Sequence, residues 1–372
     1  MPLTIPDLEH KYGNFYVPVF KLIVNGEDLL SKHFIEIATV QVDNTLKGAD
    51  RFSFTVNSTF NFQNREFAHL DDLFRFGNSV EIYFGYKDAG SLTLMHHGLI
   101  TAVQTSFPAS GLPQINVSGY DLSYRMTKGK RSENWDNRKD SEVVGLIAKE
   151  YGLTAETEDT RVTLAKIEQS QESDFQFIEK LADRNGFEFY TVGEKRGGQI
   201  VDKLLFRPPA NNSKEADLTL EWGKGLVSFS PEINISEQIS KVEVRGWDVA
   251  KKEEIVGTAQ AGDEPGRDPN RRSGAEFIKA ICKDAGELKI RIPVYSRAEA
   301  ERHAKAVLKK RAEQFVQGSG ESIGLPEIMA DKNIELLGLG EKFSRIYYVE
   351  QSTHTVSTSG YRTTFKVKDT TI

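Results

Sequence analysis

The sequence predicts a β-rich α+β protein in which two barrel-like β domains frame a small α+β insert. Three observations lead there. Short alternating strands separated by turn residues fill residues 14–125. Capped amphipathic helices interrupt the strands between 126 and 210. Alternation then returns after residue 218 and closes the chain near 361–368.

In the first region, FYVPVFKLIVNGEDL reads as a strand running into an Asn25-Gly26 turn, a dipeptide that tolerates the positive φ of a tight hairpin. Within RFSFTV, Phe52, Phe54 and Val56 share one face because side chains alternate along a strand. The stretch REFAHLDDLFRFG predicts a short helix before the strand SVEIYFGY. HHGLITAVQTSFP and LPQINVSGYDLSY follow, joined by PASG.

In the insert, DSEVVGLIAKEYGL predicts a helix with Asp140 or Ser141 as N-cap and Gly152 as its stop. Residues 173–185 give the clearest helix: Ser173 and Gln176 form a capping box, Phe175, Ile178, Leu181 and Ala182 fall on one face, and Gly186 ends it. FEFYTV and KLLFRPP are strands. Farther on, DLTLEWG, LVSFSPEINI and ISKVEVRGWDVAKKEEIVG are strands, and GDEPGRDPNRRSG (262–274) is too rich in Gly, Pro and charge to bury a core, which predicts a mobile loop. Ser296 and Glu299 make a second capping box for a helix with Ala300, Ala304, Val307, Leu308 and Phe315 as its apolar stripe. The domains expected are a first β-barrel at 1–125, the α+β insert at 126–212, a first part of a second barrel at 213–261, a mobile loop and amphipathic helix at 262–316, and closing strands at 317–372.

Composition narrows the function classes. The chain has 372 residues, 38% hydrophobic and 27% charged, the balance of a globular protein. No apolar run reaches the roughly 18 residues that cross a bilayer, and MPLTIPDLEHKYGNFYV lacks the pattern of a secretory leader, so synthesis in the cytoplasm without membrane insertion is expected. The net charge of −6 is interspersed. The basic stretches MTKGKR and KAVLKKR are too sparse for specific nucleic-acid binding and read as solvated faces. Cys282 is the one cysteine, so neither an intrachain disulfide nor a thiolate cluster can form, and its apolar neighbours predict a buried, inert thiol.

No cofactor, metal or catalytic motif stands out. His96 and His97, adjacent on a strand, point to opposite faces and cannot share a metal. Asp71-Asp72 reads as a solvated pair, and His354 as structural or interfacial. HExxH, P-loop, G-x-S-x-G and GxGxxG patterns are missing from the sequence. A glycosidase carboxylate pair needs no local motif, so a cell-wall hydrolase stays an alternative. In YRTTFKVKD, Tyr361, Thr363, Phe365 and Val367 face one way and Arg362, Thr364, Lys366 and Lys368 the other, as at a sheet against solvent or an aqueous channel. Arg362, Lys366 and Lys368 are therefore the candidate interface or channel-lining residues, with a solvated outer face as the competing reading.

Three stretches, in order, resemble the phage late control gene D family and the N-terminal hub region of VgrG spike proteins. They are FRFGNSVEIYFGY (74–86) with HHGLITAVQTSF and INVSGYDLSYRM; IEQSQESDFQFIEKLADRNGFEFYTVGEK (167–195); and the run from Ser296 to Val367, with its Ala-rich helix, Y-x-V-x-x-x-x-H and G-Y-x-T-x-F. Together they span about residues 17–369. The resemblance implies a structural baseplate hub, not an enzyme. Each subunit of a homotrimer would supply two tube-like barrels to a pseudo-sixfold ring, matching a hexameric inner tail tube on one side and a trimeric spike on the other. The partners implied are the spike, an inner tube or tube-initiator protein and other baseplate proteins, in a virion or a contractile injection particle. VgrG proteins continue into an OB-fold and a β-helical spike; the chain ends at Ile372, so a separate spike is expected. The alternatives are the hub of a non-contractile tail and a receptor- or glycan-binding tail protein.

Overall fold

The computed structural model describes residues 2–57, 60–87, 92–213, 215–248, 251–282 and 286–372, with the backbone alone for Asp248. A short helix, α1 (Ile5–Tyr12), which the sequence did not signal, begins the fold. Asp7 accepts from the Thr4 backbone N–H at 2.9 Å and its hydroxyl at 2.5 Å, which caps the helix. Its apolar side buries Ile5, Leu8 and Tyr12. The strands that follow are β1 (Pro18–Val24), β2 (Glu27–Asp28), β3 (Ile37–Thr45), β4 (Arg51–Val56), β5 (Phe60–Asn61), β6 (Glu66–Phe67), β7 (Ser79–Tyr86), β8 (Thr93–Ser106) and β9 (Gln114–Asp121). Asn25 and Gly26 both take positive φ, 50° and 81°, and close the β1–β2 hairpin as expected. Phe52, Phe54 and Val56 point into the core. The expected helix over REFAHLDDLFRFG is not formed: residues 68–73 are turns, and His69 sits at φ 66°, outside the helical region.

The insert contains β10 (Arg131–Arg138), α2 (Asp140–Glu150), β11 (Thr154–Thr157), β12 (Leu164–Glu172), α3 (Asp174–Asn185), β13 (Glu188–Arg196) and β14 (Gln199–Arg207). Its two sheets, β10-β12 and β11-β14-β13, share a core of Val143, Ile147, Phe177, Ile178, Leu181 and Phe206. Helix α3 forms as its sequence dictates. Ser173 Oγ accepts from Gln176 N at 3.2 Å, Gln176 Oε1 accepts in turn from Ser173 N, and Gly186 ends the helix at φ 67°. For α2 the N-cap is Lys139, one residue earlier than expected, and Asp140 is spent on Arg184 and Asn185.

The last region holds β15 (Leu218–Trp222), β16 (Gly225–Ile233), β17 (Lys241–Asp248), β18 (Glu253–Gln260), α4 (Gly274–Cys282), β19 (Glu287–Arg291), α5 (Arg297–Ala312), β20 (Val316–Ile323), β21 (Asn333–Leu337), α6 (Gly340–Phe343), β22 (Arg345–Ser357) and β23 (Gly360–Asp369). Six of these close a barrel in the order β22-β21-β15-β16-β20-β23 and back to β22. On its other edge β22 pairs with β3, so the barrel and the first region's β1-β7-β8-β9-β4-β3 form one thirteen-stranded sheet with β2. The core is shared across both.

Residues 241–260 divide the segment expected to enter the second barrel. They pair with β19 in a separate sheet, β18-β17-β19, on which α5 packs. A Cβ on Gly257 would come within 2.3 Å of the Ala300 carbonyl carbon, so only glycine lets the α5 backbone lie that close. The 262–274 stretch, expected to be mobile, is tied down: Arg272 and Ile372 exchange backbone hydrogen bonds, Arg267 pairs with Glu276, and Glu264 is buried. Cys282, expected to be buried, is exposed at the end of α4, because Ala275 and Ile278 make that helix's inner face instead.

Candidate functional site

Outward side chains of eight consecutive strands, β8-β9-β4-β3-β22-β23-β20-β16, form one continuous polar face. Register fixes its rows. One runs Ser228, Glu321, Thr364, Thr353, Asp43, Arg51 across neighbouring strands. The next runs Arg362, Thr355, Gln41, Ser53, Ser118, Ala102. Short hydroxyl and amide groups dominate, and few charges lie among them. Arg362 lies 3.8 Å from Glu321, and Asp43 accepts from Thr353 Oγ1 at 2.7 Å and Gln41 Nε2 at 3.1 Å. Of the three candidate cations, Arg362 and Lys366 are exposed on this face.

Lys368 is not. It follows the same alternation but is only 6% exposed, because the insert and the end of α5 cover that end of β23. Its ammonium lies 2.8 Å from Glu313, 3.6 Å from Glu188 and 3.9 Å from Glu350, beneath the Tyr348 ring. The residue thus joins three elements: β13 through Glu188, the residue after α5 through Glu313, and the barrel through Glu350. Burial lowers the Lys368 pKa, but the three carboxylates outweigh it and hold the pKa above the usual lysine value. Burial pushes Glu188 up to about 7 against the pull of Lys368. For Glu313, Lys368 and Lys309 overcome burial and keep the carboxyl below its ordinary value. Next to this cluster, buried Asp331 accepts from Tyr190, Arg207, Tyr348 and the Ala210 backbone, again linking insert to barrel.

A second junction ties the insert to β8 and β9. Asp121 ends β9 and caps the turn after it, accepting from Ser123 N at 2.9 Å, Ser123 Oγ at 2.5 Å, Asp50 N at 3.1 Å and Thr191 Oγ1 of the insert at 2.8 Å. Asp50 accepts from Thr45 N and Asn44 Nδ2, each at 2.7 Å. Burial raises both carboxyl pKa values, and the charge of Asp121 adds to the effect at Asp50. Donors of the fold take up the oxygens of this carboxylate pair. His97 reaches Asp202 of the insert at 2.7 Å. His96 points the other way, into the core beside Phe52, and burial lowers its pKa to about 3. His354 is also buried, bonded to Tyr361 Oη and the Ile328 carbonyl, which makes it structural. Among the described residues, no group of three His, Cys, Asp or Glu side chains could hold a metal ion. No helix of the described residues is long and apolar enough to cross a membrane.

Sequence reasoning found the polar face of β23 and missed Glu188, Asp331, Asp50 and Asp121 as junction residues. Asp121 alone carried a local sign, a carboxylate two residues before Ser123 at the end of a strand.

A family model described as Alg8 N-terminal domain matches residues 16–358. The probable baseplate hub protein of Escherichia phage 186 is 29% identical over 199 residues, 52% of this chain; the match spans 46% of that relative's length. Among solved structures, the prophage MuSo2 43 kDa tail protein from Shewanella oneidensis has a TM-score of 0.69 at 12% identity, covering 95% of this chain and all of that one. The tail protein from Neisseria meningitidis MC58 has a TM-score of 0.67 at 13% identity, covering 95% and 97%. An E. coli type VI secretion component, described as structurally similar to phage T4 tail proteins, has a TM-score of 0.58 at 12% identity, covering 93% and 76%. The chain belongs to the family described as Alg8 N-terminal domain, and its fold is that of phage tail, baseplate hub and VgrG-like proteins.

Proposed function

We propose that this member of the family is a structural baseplate hub subunit. It acts as a homotrimer that joins a hexameric inner tail tube to a separate trimeric spike, in a phage tail or a contractile injection system. The observation that carries this reading is the eight-stranded polar face. It is too extended for a small-ligand site, and its short hydroxyl and amide groups leave little to grip a passing chain. At roughly 4.8 Å per strand, eight strands span about 38 Å of arc, and three copies would enclose a ring about 37 Å across before strand tilt widens it.

In this reading the two strand sets act as two tube-like domains per subunit, so three subunits present six similar units to a sixfold tube. Arg362 and Lys366 line the lumen, while Lys368 fixes the insert that flanks it. The spike, an inner tube or tube-initiator protein and other baseplate proteins are the partners, and the particle rather than a membrane is the location. Enzymatic action plays no part in this reading, since the carboxylates closest to a catalytic pair, Asp50 and Asp121, are both engaged by hydrogen-bond donors of the fold.

Light scattering on the purified chain, alone and with its spike and tube partners, tests the proposal. A trimer of three times the 41.8 kDa chain mass is expected. A chain that stays monomeric with those partners and binds glycan instead would be a receptor-binding tail protein. Cell-wall hydrolysis abolished by one carboxylate substitution would make it an enzyme.

A further inference from the structure

The interior of the first region changes character at one end. Register fixes its last apolar row as Val42, Phe52, Gly119 and Ile100, on β3, β4, β9 and β8. Side chains alternate along a strand, so the next inward row lies two residues on. It holds Asn44, Asp50 and Asp121, with Gly98 opposite Asp121. His96 lies over Gly98, where an added Cβ would come within 2.6 Å of His96 Nε2. Thr191 of the insert roofs this polar row, and the groups enclose a cavity of about 50 Å³. Asn44, His96 and Asp121 are buried, while the half-buried Asp50 puts the cavity within reach of solvent.

A count of bonds shows what is spare. A carboxylate offers about four acceptor positions. Asp121 uses all of them, on Ser123 N, Ser123 Oγ, Asp50 N and Thr191 Oγ1. Asp50 uses two, on Asn44 Nδ2 and Thr45 N. Asn44 gives its amide N–H to that carboxylate, so its oxygen is the free end, and Asn44 Oδ1 has no partner. His96 Nε2 has none either, and both residues are only 4% exposed. Burial holds His96 neutral, and a neutral imidazole keeps one nitrogen that accepts. A buried polar atom is seldom left unbonded.

The spare positions thus accept, and two carboxylates stand beside them. Water alone would bond the free atoms and leave two like charges side by side, away from bulk solvent. A cation meets both needs.

We propose that this cavity binds a divalent cation of the magnesium type, held by Asp50 and Asn44 Oδ1, with retained waters turned to His96 and Asp121. Magnesium keeps several of its waters and binds through one or two carboxylates rather than through an all-protein cage. A single water needs about 10–15 Å³, so the cavity has room for the ion with part of its shell. Among the described residues no three His, Cys, Asp or Glu side chains converge as a stripped metal would require, and a hydrated ion does not require it. The bound ion would lock the β3–β4 turn to the insert through Asp121 and Thr191. The site goes beyond the hub reading and stands whether or not the chain assembles.

The test is thermal melting of the full chain, stripped with a chelator and then given millimolar magnesium chloride, or sodium chloride at matched ionic strength. Magnesium should raise the melting temperature along a saturable curve, and sodium should not. Asn44→Ala removes the free oxygen, keeps both carboxylates, and should shift the midpoint of that curve to about tenfold higher magnesium or more. Asp50→Asn keeps an acceptor for Thr45 and should abolish the rise. Asp71→Asn changes an exposed carboxylate elsewhere and should leave it intact. Each variant is compared with its own metal-free melting temperature, so a destabilised chain still reports. Crystals soaked in manganese, a heavier stand-in, should show its anomalous signal beside Asp50 and Asn44. No rise with magnesium, an equal rise with sodium, an unaltered response in Asn44→Ala and Asp50→Asn, or a cavity filled by water alone overturns the cation site. None of these results touches the hub reading, which the oligomeric mass decides.

Discussion

Two of the junctions that hold the insert are built on carboxylates, and the two solve the same problem by opposite means. At one, the buried carboxylates of Glu188, Glu313 and Glu350 surround a buried cation, Lys368. At the other, Asp50 and Asp121 sit side by side with no cation among the contacts that bond them, and hydroxyl, amide and backbone donors do the work. The two sites lie at the ends of β23 and β9. A fold can thus anchor a domain at a strand end ionically or through hydrogen bonds from neutral donors, and the ionic version concentrates its dependence on a single residue.

Removing that residue gives the largest expected effect. Lys368→Met leaves three carboxylates facing one another without a counter-charge, and breaking a buried pair on one side costs about 3–5 kcal/mol. Chemical denaturation should show the loss, and Glu188→Gln in the same chain should restore part of it. At the neutral junction, Asp121→Ala strands the Thr191 and Ser123 donors, with an expected loss of about 1–3 kcal/mol by the same measurement. An Asp121→Ala loss as large as that of Lys368→Met would erase the distinction between the two anchors.

The smallest effect is a pH slope. Glu188 titrates near 7 in the folded chain against an ordinary value of 4.5, so the folded state holds its proton more tightly. The stability tied to that proton is complete below about pH 4.5, declines as pH rises, and is gone above about 7. Melting temperatures between pH 5 and 8 should therefore fall more steeply in the wild type than in Glu188→Gln. Parallel curves would mean that the Glu188 proton contributes nothing to the junction.

Much of the fold was legible because its causes are local. The Ser173–Gln176 and Ser296–Glu299 caps, the Asn25-Gly26 turn and the alternation in β4 and β23 each depend on residues a few positions apart. What was not legible depends on what packs over a residue from elsewhere. Lys368 reads as surface from its own strand and is buried by Glu188 and Glu313, 180 and 55 positions away. Residues 241–260 look like barrel strands, and only their pairing with β19 and the seat for α5 at Gly257 set them apart.

The β3–β22 pairing also sets a timetable for folding. Asp43 and Thr353 are bonded across 310 positions of chain. A ribosome would therefore release β3 long before its partner exists, and contacts this distant in sequence form slowly. Until the closing hairpin of β22 and β23 emerges, the nascent first region carries a bare β3 edge that the finished molecule never shows. Premature association between unfinished chains would start there.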